Sequence, residues 1–308
     1  MSMHPSYPPG RKPNVGETRR FYRSKRFMVF RSWSVWMGAV VLLGVWQAGS
    51  TSGQKRAAMP EIVAHRGASY DAPENTLASV NLAWKRKAPS VEIDVYLSRD
   101  KRVVVYHDKT TKRIGGRDRE VKDQTLEELR QLDVGSWKSP RYKGEQVPTL
   151  EEVLETVPVG SRLFIEIKAG VKIVPHVVEI LKQWRYTHKR AVVIAFSFDV
   201  ASSIKKALPG IPVYWLVNFE KSRQDGSWGP DVDSVIRRTK EAGLDGLNTN
   251  YTPLLTRELV ARVHAEGLGY YVWTVNDPAD ARTLREIGVD GITTDRPAWL
   301  RQQMRDDG

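Results

Sequence analysis

The chain has 308 residues, 41% hydrophobic and 27% charged, which excludes a largely disordered chain or a multispanning membrane protein and suits one α/β barrel of about 250 residues or two average domains. It has no cysteine, excluding disulfides, thiolate metal sites, iron–sulfur clusters and a cysteine nucleophile. The net charge of +12 does not point to nucleic acid as a partner, because residues 1–58 hold ten Lys/Arg against one acidic residue and carry most of the excess.

In chain order, residues 1–31 form a basic polar tail, with Arg19, Arg20, Arg23, Lys25, Arg26 and Arg31 ahead of an uncharged segment at 32–54. Ser32 to Gly53 is long enough for a membrane-spanning helix of roughly 20 residues, whereas the strictly apolar core, Trp33 to Ala48, resembles a signal-peptide core. Both readings put the basic flank on the cytoplasmic side and the C-terminal body across the membrane. The expectation is a single-pass anchor with the body outside the cytoplasm; the alternative is export with cleavage near residue 50. Trp33, Trp36 and Trp46 suit the membrane interfaces, although ordinary aromatic packing explains them equally well.

From residue 59, short apolar runs alternate with helical patterns. Strands are predicted at Glu61–Ala64, Val91–Val95, Leu163–Ile167, Val192–Phe196, Val213–Val217, Gly246–Leu247, Gly269–Val275 and Gly291–Thr293, with Val103–Tyr106 as a local antiparallel partner of the second. Helices are predicted over Thr76–Arg86, Leu126–Leu132, Leu150–Thr156, Val174–Trp184, Val232–Ala242, Thr256–Glu266 and Pro278–Ile287; Thr125 with Glu128 and Thr149 with Glu152 read as capping boxes. Eight strands in βα alternation predict a TIM-type (β/α)8 barrel over 59–300, with a doubly wound sheet as the alternative. Residues 108–146, too long for an ordinary loop, predict a small insertion after the second barrel strand and near the mouth.

Chemistry gathers at the predicted strand ends. His65 and Arg66 follow the first strand, combining a proton-transfer group with a fork of donors for phosphate oxygens, and Gly67 permits a tight departure. Glu92 and Asp94 are two apart on a strand, so both carboxylates share a face as hard ligands for Mg2+ or Ca2+. His107 offers a second imidazole, with Asp108 beside it to orient the ring or cap the backbone. Glu166 and Lys168 repeat the two-residue spacing with opposite charges. Singly, each has a structural reading: a satisfied core histidine, a salt-bridged barrel rim, an ion pair on a strand face.

Taken in order, His65-Arg66-Gly67, Pro73-Glu74-Asn75-Thr76, Glu92-Ile93-Asp94, His107-Asp108 and Glu166-Ile167-Lys168 resemble the glycerophosphodiester phosphodiesterase family. The resemblance runs over about residues 60–297; Trp273-Thr274-Val275-Asn276 and Asp290 to Pro297 look like the family's last two strand ends. It implies a barrel with a divalent-metal site, Mg2+ or Ca2+ with Mn2+ also suitable, ligated by Glu92, Asp94 and Glu166. It further implies His65 and His107 as the catalytic pair, Arg66 and Lys168 on phosphate, Glu74 and Asn75 as polar support, and Trp273 as an apolar wall beside glycerol. One departure is the turn Asp100-Lys101-Arg102, where the family carries a glycine.

The implied reaction is metal-dependent hydrolysis of a glycerophosphodiester to sn-glycerol 3-phosphate and an alcohol, a step in lipid and glycerol metabolism. Two alternatives stand beside it. A lysophospholipase D would take acyl-bearing diesters, with Trp137 and Tyr142 near the mouth, and a membrane-attached scaffold would bind phosphate without turnover. The sequence leaves the oligomeric state open.

Overall fold

The computed structural model describes residues 58–184 and 190–306. The tail at 1–31 and the hydrophobic segment at 32–54, with the helix expected there, lie outside the described residues. Among the described residues, no helix is long and apolar enough to cross a membrane.

The described residues form eleven strands: β1 Glu61–Ala64, β2 Ser90–Leu97, β3 Val103–Val105, β4 Arg162–Ile167, β5 Ala191–Ala195, β6 Val213–Val217, β7 Glu220–Lys221, β8 Trp228–Gly229, β9 Gly246–Asn250, β10 Gly269–Trp273 and β11 Gly291–Thr294. Eight run parallel in the order β1-β2-β4-β5-β6-β9-β10-β11, and β1 pairs with both β2 and β11. That double pairing closes the sheet into a barrel and rules out the doubly wound alternative, whose open sheet keeps two free edges. β3 lies antiparallel on the extended end of β2, with Val95 opposite Val105, as the local-pairing expectation required.

The strand parity sorts the two cores. Val91, Ile93 and Val95 of β2 and Leu163, Ile165 and Ile167 of β4 face the helices in the main apolar cluster. Val63, Phe164, Val192, Ile194, Tyr214, Leu216 and Tyr271 fill the barrel interior. The interior floor is polar but paired: Arg162 donates to Glu61 and, at 2.8 Å, to the Tyr271 hydroxyl, which in turn donates to Glu61 at 2.7 Å. These bonds offset the cost of placing charge inside the barrel.

Helix starts follow the capping chemistry. Thr125 with Glu128 and Thr149 with Glu152 form the two expected capping boxes, and Thr76 with Ser79 forms a third. The helices Leu150–Thr156 and Pro278–Ile287 match their predicted bounds, while Phe198–Ala207 and Pro297–Asp306 were not anticipated. The insertion has its own small core, in which Val121, Leu126, Leu129, Leu132 and Val134 pack on Val104 and Tyr106. It therefore packs against β3 through its own apolar cluster.

Candidate active site

The carboxyl ends of β1, β2, β4 and β10, with the loop after β3, deliver the polar groups to one mouth. Asp94 stands opposite Glu166 across the β2–β4 pair. Glu92, Asp94 and Glu166 each bring one oxygen within 4.8 Å of the others. All three are buried, at 2%, 1% and 9% exposure. Burial first, and then its acidic neighbours Asp94 and Glu166, push the Glu92 carboxyl well above its ordinary range. Burial and Asp94 push Glu166 up to about 7.

The donor set fits a divalent cation. Three hard oxygen ligands converge, and Glu92 Oε1 is buried without a hydrogen-bond partner among the described residues. Asn75 clamps the second carboxylate, its Nδ2 donating to Asp94 Oδ2 at 2.8 Å while its Oδ1 accepts from the Asp94 amide at 3.1 Å. Asn75 adopts a left-handed φ of 57°, which asparagine takes more readily than most non-glycine residues, and this conformation places the two-way clamp.

Arg66 also takes a left-handed φ, 52°, which turns its amide onto Glu92 Oε2 at 2.9 Å and its guanidinium toward Glu74 at 2.9 Å and Asp94 at 3.2 Å. Against the burial that would lower it, Asp94 and Glu74 raise the Arg66 guanidinium above its ordinary value. Lys168 Nζ lies 2.7 Å from Glu166 Oε1 and 3.7 Å from Asp94 Oδ1, and these carboxylates keep it charged despite burial.

Each histidine is held by a carboxylate at Nδ1. His65 Nδ1 is 2.7 Å from Asp295 Oδ1, and His107 Nδ1 is 2.7 Å from Asp108 Oδ1. Burial alone would raise the Asp295 carboxyl, but hydrogen bonds with His65, Asn276 and Ser69 bring it down to about 2. Burial lowers the His107 imidazole below its ordinary value, more than Asp94 raises it. His107 Nε2 lies 3.4 Å from Lys168 Nζ.

A cavity of about 220 Å³ joins His65, Arg66, Glu92, His107, Glu166 and Lys168 to an apolar side formed by Ile194, Phe196, Leu216 and Trp273. Trp273 donates from Nε1 to the Asn248 carbonyl at 3.3 Å, and Phe196 meets its ring edge-on at 5.6 Å. Every residue predicted for the site is thus gathered at this mouth or directly behind it.

The sequence reading missed four contributors. Asp295 and Asn276 lie in segments already noted, but nothing local marks them as partners of His65. Phe196 is 43% exposed at the cavity. Arg113, on the one-turn helix Lys112–Gly115, bridges Glu74 and Asp108 through four hydrogen bonds of 2.6 to 3.1 Å. Glu74 therefore holds two arginines and supports the site from behind. Tyr142, expected near a lipid-facing mouth, instead donates to the Asp71 carbonyl at 2.9 Å and stitches the insertion to the loop after β1.

Residues 65–299 match the model of the glycerophosphoryl diester phosphodiesterase family. A glycerophosphodiester phosphodiesterase of Caldanaerobacter subterraneus subsp. tengcongensis (strain DSM 15242) is 32% identical over 254 residues, covering 80% of this chain and 98% of the relative. One of Bacillus subtilis (strain 168) is 31% identical over 252 residues, covering 76% and 83%. The solved structure of an Oleispira antarctica phosphodiesterase, in complex with the product sn-glycerol-3-phosphate, superposes with a TM-score of 0.71 at 30% identity, over 80% of this chain and 97% of that one.

Proposed function

This chain belongs to the glycerophosphoryl diester phosphodiesterase family and hydrolyses glycerophosphodiesters, and from that premise we propose that His65 and His107 perform the proton transfers on the phosphodiester. The observation that carries this reading is the paired geometry. Both imidazoles are tied at Nδ1 to a carboxylate 2.7 Å away, which fixes each ring and keeps Nε2 as the nitrogen for proton transfer, that of His107 lying 3.4 Å from Lys168 Nζ.

Glu92, Asp94 and Glu166 would hold the metal, with Mg2+, Ca2+ and Mn2+ all compatible with three carboxylate oxygens. When bound there, the cation supplies Lewis-acid neutralisation of phosphoryl oxygens. Arg66 and Lys168 add donors around the same phosphate and stabilise the charge that grows in the transition state. One histidine takes the proton of the attacking hydroxyl, from water or from the substrate's own glycerol, and the other protonates the oxygen of the departing alcohol. The glycerol portion rests against Trp273 and Phe196 on the apolar side of the cavity, and the Oleispira antarctica relative, solved with the product sn-glycerol-3-phosphate, supports a glycerol phosphate as product.

The test is sn-glycerol 3-phosphate release from glycerophosphocholine by the full chain, with and without a divalent ion. Lysophosphatidylcholine in parallel distinguishes the acyl-bearing alternative, which the exposed Phe196 at the cavity favours.

The same proposal places the barrel outside the cytoplasm, held by residues 32–54 as an anchor. The six basic residues ahead of an uncharged segment support that orientation. Membrane fractionation tests it: a barrel recovered as a soluble, cleaved extracytoplasmic protein would contradict the anchor.

A further inference from the structure

A second cavity of about 630 Å³ adjoins the catalytic mouth, and Lys168 lines both. Tyr96 belongs to the second cavity. It follows Glu92 and Asp94 on the same face of β2, so its ring stands one step above the metal ligands and also lines the second cavity. On the other side the loop carrying His107 into the first cavity carries Lys109 into the second.

The floor of this groove is apolar, with Leu97 and Ile173, but its rim is basic. Lys101, Lys109, Lys122 and Lys172 line it against a single acid, Glu120. Lys109 and Lys122 share that carboxylate at 2.8 and 2.9 Å, so one negative charge answers two positive ones. Lys101 and Lys172 have no ion-pair partner among the described residues. Lys101 also occupies a left-handed turn position, φ 67°, where glycine would be unstrained. A lysine kept where the backbone favours glycine puts an ammonium on the groove at a conformational cost.

We infer that this groove receives the alcohol half of the substrate and selects glycerophosphodiesters whose alcohol carries its own anionic group, a phosphate ester above all. The inference rests on the proposed placement of phosphate between His65 and His107. With glycerol against Trp273 and Phe196, the departing oxygen leaves on the His107 and Lys168 side, toward the lysines. The attacking hydroxyl, from water or from the glycerol, bonds to phosphorus and gives its proton to one histidine, the bond from phosphorus to the departing oxygen breaks, and that oxygen takes a proton from the other histidine and leaves as the anionic alcohol in the groove.

A matched pair of substrates tests it: glycerophosphoinositol and the same compound bearing one phosphate on the inositol. The full chain should hydrolyse the phosphorylated compound with kcat/KM about tenfold higher at low salt, a preference that shrinks as ionic strength rises because exposed charges are screened. The double variant Lys101→Gly/Lys172→Gln should retain turnover of the unphosphorylated compound within about twofold and lose most of the preference, and Lys101→Arg/Lys172→Arg should restore it. Equal kcat/KM for the two substrates in the parent chain, or a preference unchanged in the double variant, would overturn the groove assignment while leaving the phosphodiesterase intact. If variant and parent differ only in binding to anionic phospholipid vesicles, with the substrate ratio unchanged, the groove is a lipid-surface contact and the inference is wrong. No turnover of either substrate with any divalent ion would instead sink the site reading on which it stands.

Discussion

His65 and Asp295 stand 230 residues apart in the chain, yet His65 Nδ1 and Asp295 Oδ1 meet at 2.7 Å because β1 and β11 are neighbours in the closed barrel. Asp295 is in turn held by Asn276 at 2.7 Å and Ser69 at 3.1 Å. Asp295→Asn should keep the fold and lower kcat by about 10²–10⁴-fold, since the amide cannot fix the same tautomer or stabilise the imidazolium. Steady-state kinetics beside circular dichroism checks it.

The same carboxylate sets an acid limit to stability. Its folded pKa, about 2, lies below the ordinary value of 3.8. A depressed carboxylate stabilises the fold above its unfolded pKa, and that contribution is lost as pH falls toward the folded one. Unfolding free energies between about pH 4 and pH 2 should therefore fall less steeply in Asp295→Asn than in the parent.

Three carboxylates packed within 4.8 Å repel one another when no cation sits among them. Chelation should abolish activity, and a divalent ion at a hundredfold excess over Kd should stabilise the chain by about 2.7 kcal/mol. Glu92→Gln should melt higher than the parent in chelator and gain little from added ion. A melting-temperature series with Mg2+, Ca2+ and Mn2+ measures both effects without relying on turnover.

Arg113 bonds both Glu74, which holds Arg66, and Asp108, which holds His107. It touches no part of the cavity and acts through those two carboxylates. Arg113→Lys, which lacks the planar fork needed to reach both, should lower kcat about tenfold with little change in KM. The pH–rate profile should also shift, because Asp108 then orients His107 less firmly; an unchanged profile and kcat would show the bridge to be dispensable.

Two turns make opposite predictions for backbone substitutions. Gly67 has φ 83°, and a β-carbon there would fall 2.5 to 2.7 Å from Ser79, so Gly67→Ala should cost about 2–4 kcal/mol. Lys101→Gly relieves a left-handed lysine and should stabilise the chain by up to about 1 kcal/mol. Urea unfolding of the two variants checks both signs.

The barrel was legible because its outward faces are made of local apolar alternation, and the site's first members because they follow strand ends in short runs such as His65-Arg66-Gly67. β9 was read as Gly246–Leu247 but extends to Asn250, since Asn248, Thr249 and Asn250 are polar and give no apolar period. Asn248 faces the cavity, and Asn250 accepts from the Phe219 amide at 2.7 Å, so that strand's logic is tertiary. The helix Phe198–Ala207 was hidden by Ser202 and Ser203 in its middle, although Ser197 caps it. Asp295 and Arg113 could not be assigned from spacing, because one depends on barrel closure and the other on where a one-turn helix of the insertion comes to rest.

The central claim is that the triad and the two histidines form one hydrolytic site. Its most direct test is sn-glycerol 3-phosphate release from glycerophosphocholine by the full chain, with Mg2+, Ca2+ or Mn2+ and in chelator, beside His65→Ala and Glu92→Ala proteins shown to be folded. The parent should release product only with metal, and each variant should lose at least about 10²-fold. Release that persists in chelator, or folded variants as active as the parent, would contradict it.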